Sequence, residues 1–445
     1  MSNSFRSQEI LQKNKRYIPG GIVSTNRTVE PSLVFSRAQG ASLWDVDGKK
    51  YIDYHAAFGP YILGHNDEDV NLAVVKVLQS GSSLFGSGTN ELEGELAELI
   101  CQSIPCVDSI QLLNTGSEAT YQAIRLARAQ TGKDHIVKPQ GGYHGWHNDV
   151  AMNLMTPLDK MGPYVSPGEY PSAPISAGIP AEHASLVHAV NYNDLASVEW
   201  VCQQYPVGAM ILEPILQNIG VVKPMPGYLE GLRALADRFG FLLIFDEVKT
   251  GFRHALGGYA AVANVSPDLV VYGKAVANGF PLAVLGGKRE YMDLFVAPDP
   301  AHRVLLAGTY NGHPVPVAAA IATIRKLAQN NGEIYSRLDA LGVRMEEGLA
   351  RIFSQQGITA SVVRQCSAFS CYFMEGRPRN WHELVSQHDF ALDLAWRRQL
   401  VERGIYFLPL PVKQCSLSAA HTVQDVDYTL EQAAEALAAV RQPVM

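Results

Sequence analysis

The sequence predicts an α/β protein built around a mainly parallel β-sheet. Two observations carry that reading. Through the middle of the chain, short apolar runs alternate with helix-patterned segments, and the runs are continuous, as in strands covered on both faces. Four of these runs also end on or beside a polar residue. In open parallel sheets, ligands bind beyond the C-terminal ends of the strands.

The elements follow in order. "SIQLLN" (109–114) is a strand, and "SEATYQAIRLARAQTG" (117–132) is a helix stopped by Gly132. "VGAMILE" (207–213) is a strand ending at Glu213, and "YLEGLRALADRFG" (228–240) is a helix stopped by Gly240. "FLLIFDEV" (241–248) and "DLVVYGK" (268–274) are further buried strands. Asn114 and the turn after it, Glu213, Asp246 and Lys274 are thereby expected on one rim. Beyond about residue 325, helices with more charge (336–353 and 390–404) and β patterning from Ala360 to Phe373 predict a second, smaller α+β domain.

Composition narrows the class. A chain of 445 residues, 47% hydrophobic and 18% charged, is long enough for two packed domains. Its net charge of −7 argues against a nucleic-acid surface and gives no polybasic membrane handle. The six cysteines form no CxxC pair and no zinc-like spacing, and read as reduced thiols. A polar N-terminus without a signal-like core, and no apolar run of bilayer length, give the expectation of a soluble, cytoplasmic protein.

Four pieces carry chemistry. Asp246 follows five apolar residues, so its carboxylate needs a cationic or hydrogen-bonding partner or else caps the next segment. "NTGSEAT" (114–120) joins a strand to a helix N-terminus. It reads equally as an anion site or as an ordinary capping box, Thr115 with Glu118. In "GGYHGWHND" (141–149), Tyr143 is placed for a ring to stack on it, or simply for packing. The two histidines there lack a carboxylate or cysteine set at ligand spacing, so no metal is expected. Lys274 is the only charge between Leu269 and Gly287. A lysine in such surroundings either pairs with a carboxylate or condenses with an aldehyde to an imine, which removes the cost of burying a cation. An anion site, a stacking aromatic, a buried aspartate and a lone lysine together describe pyridoxal 5'-phosphate.

On these residues the sequence resembles the class III (subgroup II) aminotransferases among the fold type I pyridoxal-phosphate enzymes. It is most similar to their branch acting on glutamate-1-semialdehyde as 2,1-aminomutases. The likeness runs through "YIPGGIVSTNR", "GASLWDVDGKKYIDY", "GPYILGH", "NTGSEAT", "GGYHG", "LEPILQNIG", "DEVKTGFR", "GKAVANGFPLAVLGG" and "GTYNGHP". The resemblance implies a large domain (66–325) with a mostly parallel seven-stranded sheet, and a small domain from both chain ends (1–65 and 326–445). It implies a Schiff base on Lys274, which also moves the proton, and Asp246 on the ring nitrogen. Tyr143 and Val248 would flank the ring, Asn218 would bond the ring hydroxyl, and Gly116 and Ser117 would hold the phosphate. Thr309, in Gly308-Thr309, would reach the phosphate of a neighbouring subunit, making a homodimer with shared sites. Arg27, with Ser24 beside it, would anchor a substrate carboxylate, unless Arg27 forms only a surface salt bridge.

Departures cluster around the substrate. Lys413 stands where that branch has a glutamate, and Lys249 where it has a methionine. "ANGFP" replaces a glycine run, and "GTYNGHP" replaces "GTLSGNP". The stretch from Asn148 to Val190, rich in proline and serine, is expected to be an irregular lid. The reading is an aminotransferase that moves the amino group of a carboxylate-bearing amino compound to a keto acid. The alternatives are the aminomutase forming 5-aminolevulinate, then an amino-acid racemase or epimerase, then a non-catalytic cofactor-binding protein.

Overall fold

Three short antiparallel strands come first in the chain: β1 (Phe35–Gln39), β2 (Ser42–Asp45) and β3 (Lys50–Asp53). They belong to the smaller of two units in the computed structural model, which describes residues 5–441. That unit takes in the chain up to Glu68, Ser336–Arg377 and the chain from His388 onward. The larger unit is Asp69–Tyr335 with Pro378–Gln387. The division expected at 325/326 therefore shifts. It would cut the helix Pro314–Ala328, which buries Val317, Ala320, Ile321, Ile324 and Leu327 and stays whole in the larger unit.

The larger unit is organised by one sheet. Among the described residues it has seven strands: β4 (Ser109–Leu113), β5 (His135–Pro139), β6 (Val187–Val190), β7 (Val207–Leu212), β8 (Leu242–Glu247), β9 (Leu269–Tyr272) and β10 (Ala283–Gly287). Their order is β4-β10-β9-β8-β7-β5-β6, and β10 alone runs antiparallel to its neighbours. Every residue of β7, β8 and β9 is buried, which is why these runs are apolar without alternation. Register pairs Ile211 with Ile244 and Asp246 with Val271, so Asp246 lies in the middle of the sheet.

The helix Gly116–Thr131 packs Ala119, Ala123, Ile124 and Ala127 into the core that contains Ile244 and Val271. Thr115 and Glu118 cap its start reciprocally, and Gly132, at φ 66°, ends it in the left-handed conformation that favours glycine.

The proline-rich stretch is irregular but shorter than expected, because its last four residues are β6, the edge strand beside β5. Within it, the Asn153 N–H donates to the Ala173 carbonyl (2.9 Å) and Trp381 Nε1 donates to the Thr156 carbonyl (2.8 Å).

In the smaller unit, β11 (Ser361–Gln365) and β12 (Ala368–Tyr372) pair antiparallel where β patterning was expected between Ala360 and Phe373. The strand β13 (Ile405–Tyr406) extends the first sheet parallel to β3, and β14 (Cys415–Ser416) pairs with β12. No helix among the described residues is long and apolar enough to cross a membrane.

Candidate active site

The C-terminal ends of parallel strands in the larger unit enclose a cavity of about 190 Å³. Gly116 and Ser117 enter its wall after β4, and Tyr143, His144 and Gly145 after β5. Glu213 and Asn218 follow β7, Asp246 and Val248 come from β8 and its end, and Lys274 follows β9. The rim positions expected from the sequence thus converge, the first of them through the turn after Asn114 and not through Asn114 itself. Asn114 does not line the cavity. Its Nδ2 donates to Asn311 Oδ1 (3.0 Å) and its backbone N–H to Glu118 Oε2 (2.9 Å).

Lys274 opens a 3₁₀ turn, Lys274–Ala277, with its own φ at +47°, a strained conformation for a side-chain-bearing residue. Its ammonium makes no hydrogen bond or ion pair among the described residues. Loss of solvent holds its pKa below the ordinary lysine value, while the negative charges of Asp246 and Glu213 pull the other way. Asp246 Oδ1 accepts the Val248 N–H (3.1 Å), and Oδ2 accepts from His144 Nδ1 (2.8 Å). The carboxylate is 3% exposed. It is not a strand-end cap alone, because a buried histidine shares it.

Glu213 organises the opposite wall. Its two oxygens accept the backbone N–H groups of Tyr143 (3.0 Å), Gln217 (2.8 Å) and Asn218 (3.1 Å). Burial raises its pKa, and the nearby Lys249 charge opposes that rise. Lys249 lines the same cavity and donates from Nζ to the Gln217 carbonyl (3.0 Å).

At the helix N-terminus the two readings of "NTGSEAT" turn out to be compatible. The capping box uses the Glu118 N–H, and Ala119 N–H bonds the Thr115 carbonyl. The Gly116 and Ser117 amides, ahead of them, have no acceptor among the described residues and line the cavity. The backbone there is close-fitted: a Cβ on Gly116 would lie 2.9 Å from Val248 Cγ2, and one on Gly145 would lie 2.6 Å from Ser117 Oγ.

The family model described as "Aminotransferase class-III" matches residues 23–440. This chain belongs to that family. The chain is 39% identical over 438 residues to a glutamate-1-semialdehyde 2,1-aminomutase of Syntrophomonas wolfei, covering 97% of each chain. Among solved structures it resembles an omega-transaminase from Sphaerobacter thermophilus (28% identity, TM-score 0.91, 99% of this chain and 100% of that one). It also resembles a beta-phenylalanine aminotransferase from Variovorax paradoxus (28% identity, TM-score 0.82, 97% and 93%). As a class III aminotransferase the chain is a pyridoxal-phosphate enzyme of fold type I, performing aminotransfer or amino migration.

The cavity fits that cofactor. Uncommitted amides at a helix N-terminus suit a phosphate. The buried Asp246 carboxylate would suit a protonated ring nitrogen, and the lysine in the same wall has a lowered pKa.

Three expected residues are not in this cavity. Thr309 is exposed, and its neighbour Gly308 lines a separate hollow with Asn114, Ser117 and Trp146. Arg27 and Ser24 lie in the smaller unit. There Arg27 lines a different cavity and makes no ion pair among the described residues, so it is no surface salt bridge.

Sequence reasoning missed His144 as the partner of Asp246, 102 residues away, having weighed it only as a metal ligand. The one available signal was that a buried carboxylate needs a donor and "GGYHG" supplies one. Glu213 was placed on the rim without its role as an acceptor for three amides.

Proposed function

We propose that this enzyme transfers the amino group of a carboxylate-bearing amino compound to a keto acid. The observation that carries the chemistry is the single cavity joining Lys274, Asp246 and the amides of Gly116 and Ser117. Bound there, pyridoxal phosphate supplies an aldehyde for amine exchange and a protonated ring that accepts electrons from the substrate carbon.

The chain's residues do the rest. Lys274, its pKa held below the ordinary lysine value by loss of solvent, would provide the amine that exchanges with the substrate amine and then carries a proton between carbon atoms. Asp246, oriented by His144 and the Val248 amide, would keep a proton on the ring nitrogen. Tyr143 and Val248 would confine the ring, Asn218 would bond its hydroxyl, and the Gly116 and Ser117 amides would hold the phosphate.

Arg27, whose guanidinium has no partner among the described residues, and Ser24 are assigned to the substrate carboxylate. Thr309, exposed and outside the cavity, is assigned to the phosphate site of a second copy in a homodimer. Six free cysteines fit a reducing, cytoplasmic setting.

Transfer between two molecules is preferred to migration within one because two lysines replace the residues usual in the aminomutases. Lys249 lies in the cavity wall, and Lys413 lies in the smaller unit. Amino migration is the second reading, favoured by the 39% identity to a named aminomutase.

Purified enzyme given an amino acid with and without pyruvate separates the two. Transfer requires the acceptor and yields one keto product per molecule of alanine formed. Conversion of glutamate-1-semialdehyde to 5-aminolevulinate without any acceptor would establish migration instead.

A further inference from the structure

The cavity in the smaller unit, about 530 Å³, has a wall unlike that around Lys274. Val29, Leu33, Phe35, Phe58, Tyr406 and Leu408 all face it, and the same residues pack into one apolar cluster. Phe35 meets Tyr406 edge-on, with ring centroids 5.2 Å apart.

The charges in this wall are arranged asymmetrically. Asp53 is 3% exposed and fully committed. Its Oδ1 accepts the amides of His55 (2.9 Å) and Ala56 (3.0 Å), and its Oδ2 bonds His65 Nε2 (2.7 Å). It is therefore not free to neutralise Arg27, which lines the cavity from the short turn Thr25–Arg27. The guanidinium is left as a cation without an ion pair among the described residues, beside a hydrocarbon wall.

The backbone adds an independent mark. Ala56, Ala57 and Phe58 are three consecutive non-glycine residues at φ 49°, 52° and 69°. Such a run is strained, and here it is held by the Asp53 carboxylate and turns Ala57 and Phe58 into the cavity wall. Strain of this kind persists where the surroundings over-determine it, typically at ligand sites.

We infer that this cavity binds a carboxylate bearing an apolar aryl or alkyl group. Arg27 takes the carboxylate, and Phe58, Phe35 and Leu33 take the hydrocarbon. Resting on the assignment of Arg27 to the substrate carboxylate, this makes the amino donor an amino acid with an apolar substituent, not a short polar aldehyde.

The test uses ligands with no amine, so that aminotransfer plays no part. Calorimetry on the cofactor-loaded enzyme compares 3-phenylpropanoate, succinate and 3-phenylpropan-1-ol. The aryl acid is expected to bind at least about tenfold tighter than either of the others. Arg27→Gln should bring it down to the level of the alcohol. Leu33→Gln should weaken it several-fold and leave succinate unchanged.

Succinate binding as tightly as the aryl acid would overturn the inference. So would undetectable binding of all three, or an aryl-acid affinity indifferent to Arg27→Gln. An enzyme that binds the aryl acid as expected yet exchanges no amine would refute the aminotransferase reading and leave this one standing.

Discussion

Two lysines in the larger unit are withdrawn from solvent, Lys138 fully and Lys274 in part, and they could hardly be more differently employed. Lys138, on β5, has no exposed surface, and its Nζ donates to the carbonyls of Met152 (2.7 Å) and Asn153 (3.3 Å). Lys274 stands in a cavity wall with no acceptor among the described residues. Both have pKa values lowered first of all by loss of solvent, Lys138 to about 7. In the sequence they look alike: Lys138 is the only Lys, Arg, Asp or Glu between His135 and Asn148, as Lys274 is between Leu269 and Gly287. A lone lysine in apolar surroundings is therefore not by itself a catalytic signal, and a purely structural lysine exists in this same sheet. What separates the two is whether the ammonium has been given acceptors.

The largest test of that distinction is Lys274→Ala. Without the amine, turnover should fall by roughly a thousandfold or more, the range expected when a nucleophile and proton carrier are both lost. The enzyme's absorbance should lose its borohydride-sensitive band, and thermal stability should hardly change. Retained turnover would mean that Lys274 is as structural as Lys138.

Glu213 is the charge the two lysines share, since it favours the protonated form of each. Glu213→Gln removes that charge and leaves one acceptor oxygen where two served three amides. Both lysines should then titrate lower. Tyr143 and Asn218, which hang on this carboxylate through their amides, should hold the cofactor less well, by about tenfold in a titration of cofactor-free protein. Unaltered affinity would show that Glu213 does not fix the ring's surroundings.

How much of this was legible beforehand follows from the range of the interactions. The strands β7, β8 and β9 were readable because each is a nearly continuous apolar run, and a strand buried on both faces has no other way to appear. Lys274, Asp246, Gly116, Ser117, Tyr143, Val248 and Asn218 meet because all follow or end strands that run in the same direction. The pairing of His144 with Asp246 and the convergence of three amides on Glu213 left no local trace. They depend on which strand lies beside which, and the order β4-β10-β9-β8-β7-β5-β6 is a tertiary fact. Lys138 was passed over for the same reason: its acceptors lie 14 and 15 residues on, in an irregular segment without periodicity.

The smallest effect belongs to Lys138→Met, and its value lies in the sign of its pH dependence. The folded pKa of about 7 is below the ordinary 10.5, so between those values the unfolded chain holds more protons than the folded one. Stability from this residue is accordingly complete above pH 10.5 and declines as pH falls toward 7. Methionine cannot titrate, so the variant should lack this part of the rise in stability on going from pH 7 to pH 9.5. At pH 7 the two carbonyls lose their donor, but an amine no longer has to be stripped of water. The opposing effects should leave a net change under about 2 kcal/mol. Turnover should stay within about threefold of the parent, because Lys138 does not line the cavity. Denaturant titrations of both proteins at the two pH values measure the difference. An identical pH slope would show that Lys138 keeps its ordinary pKa despite its burial, and the contrast with Lys274 would then rest on geometry alone.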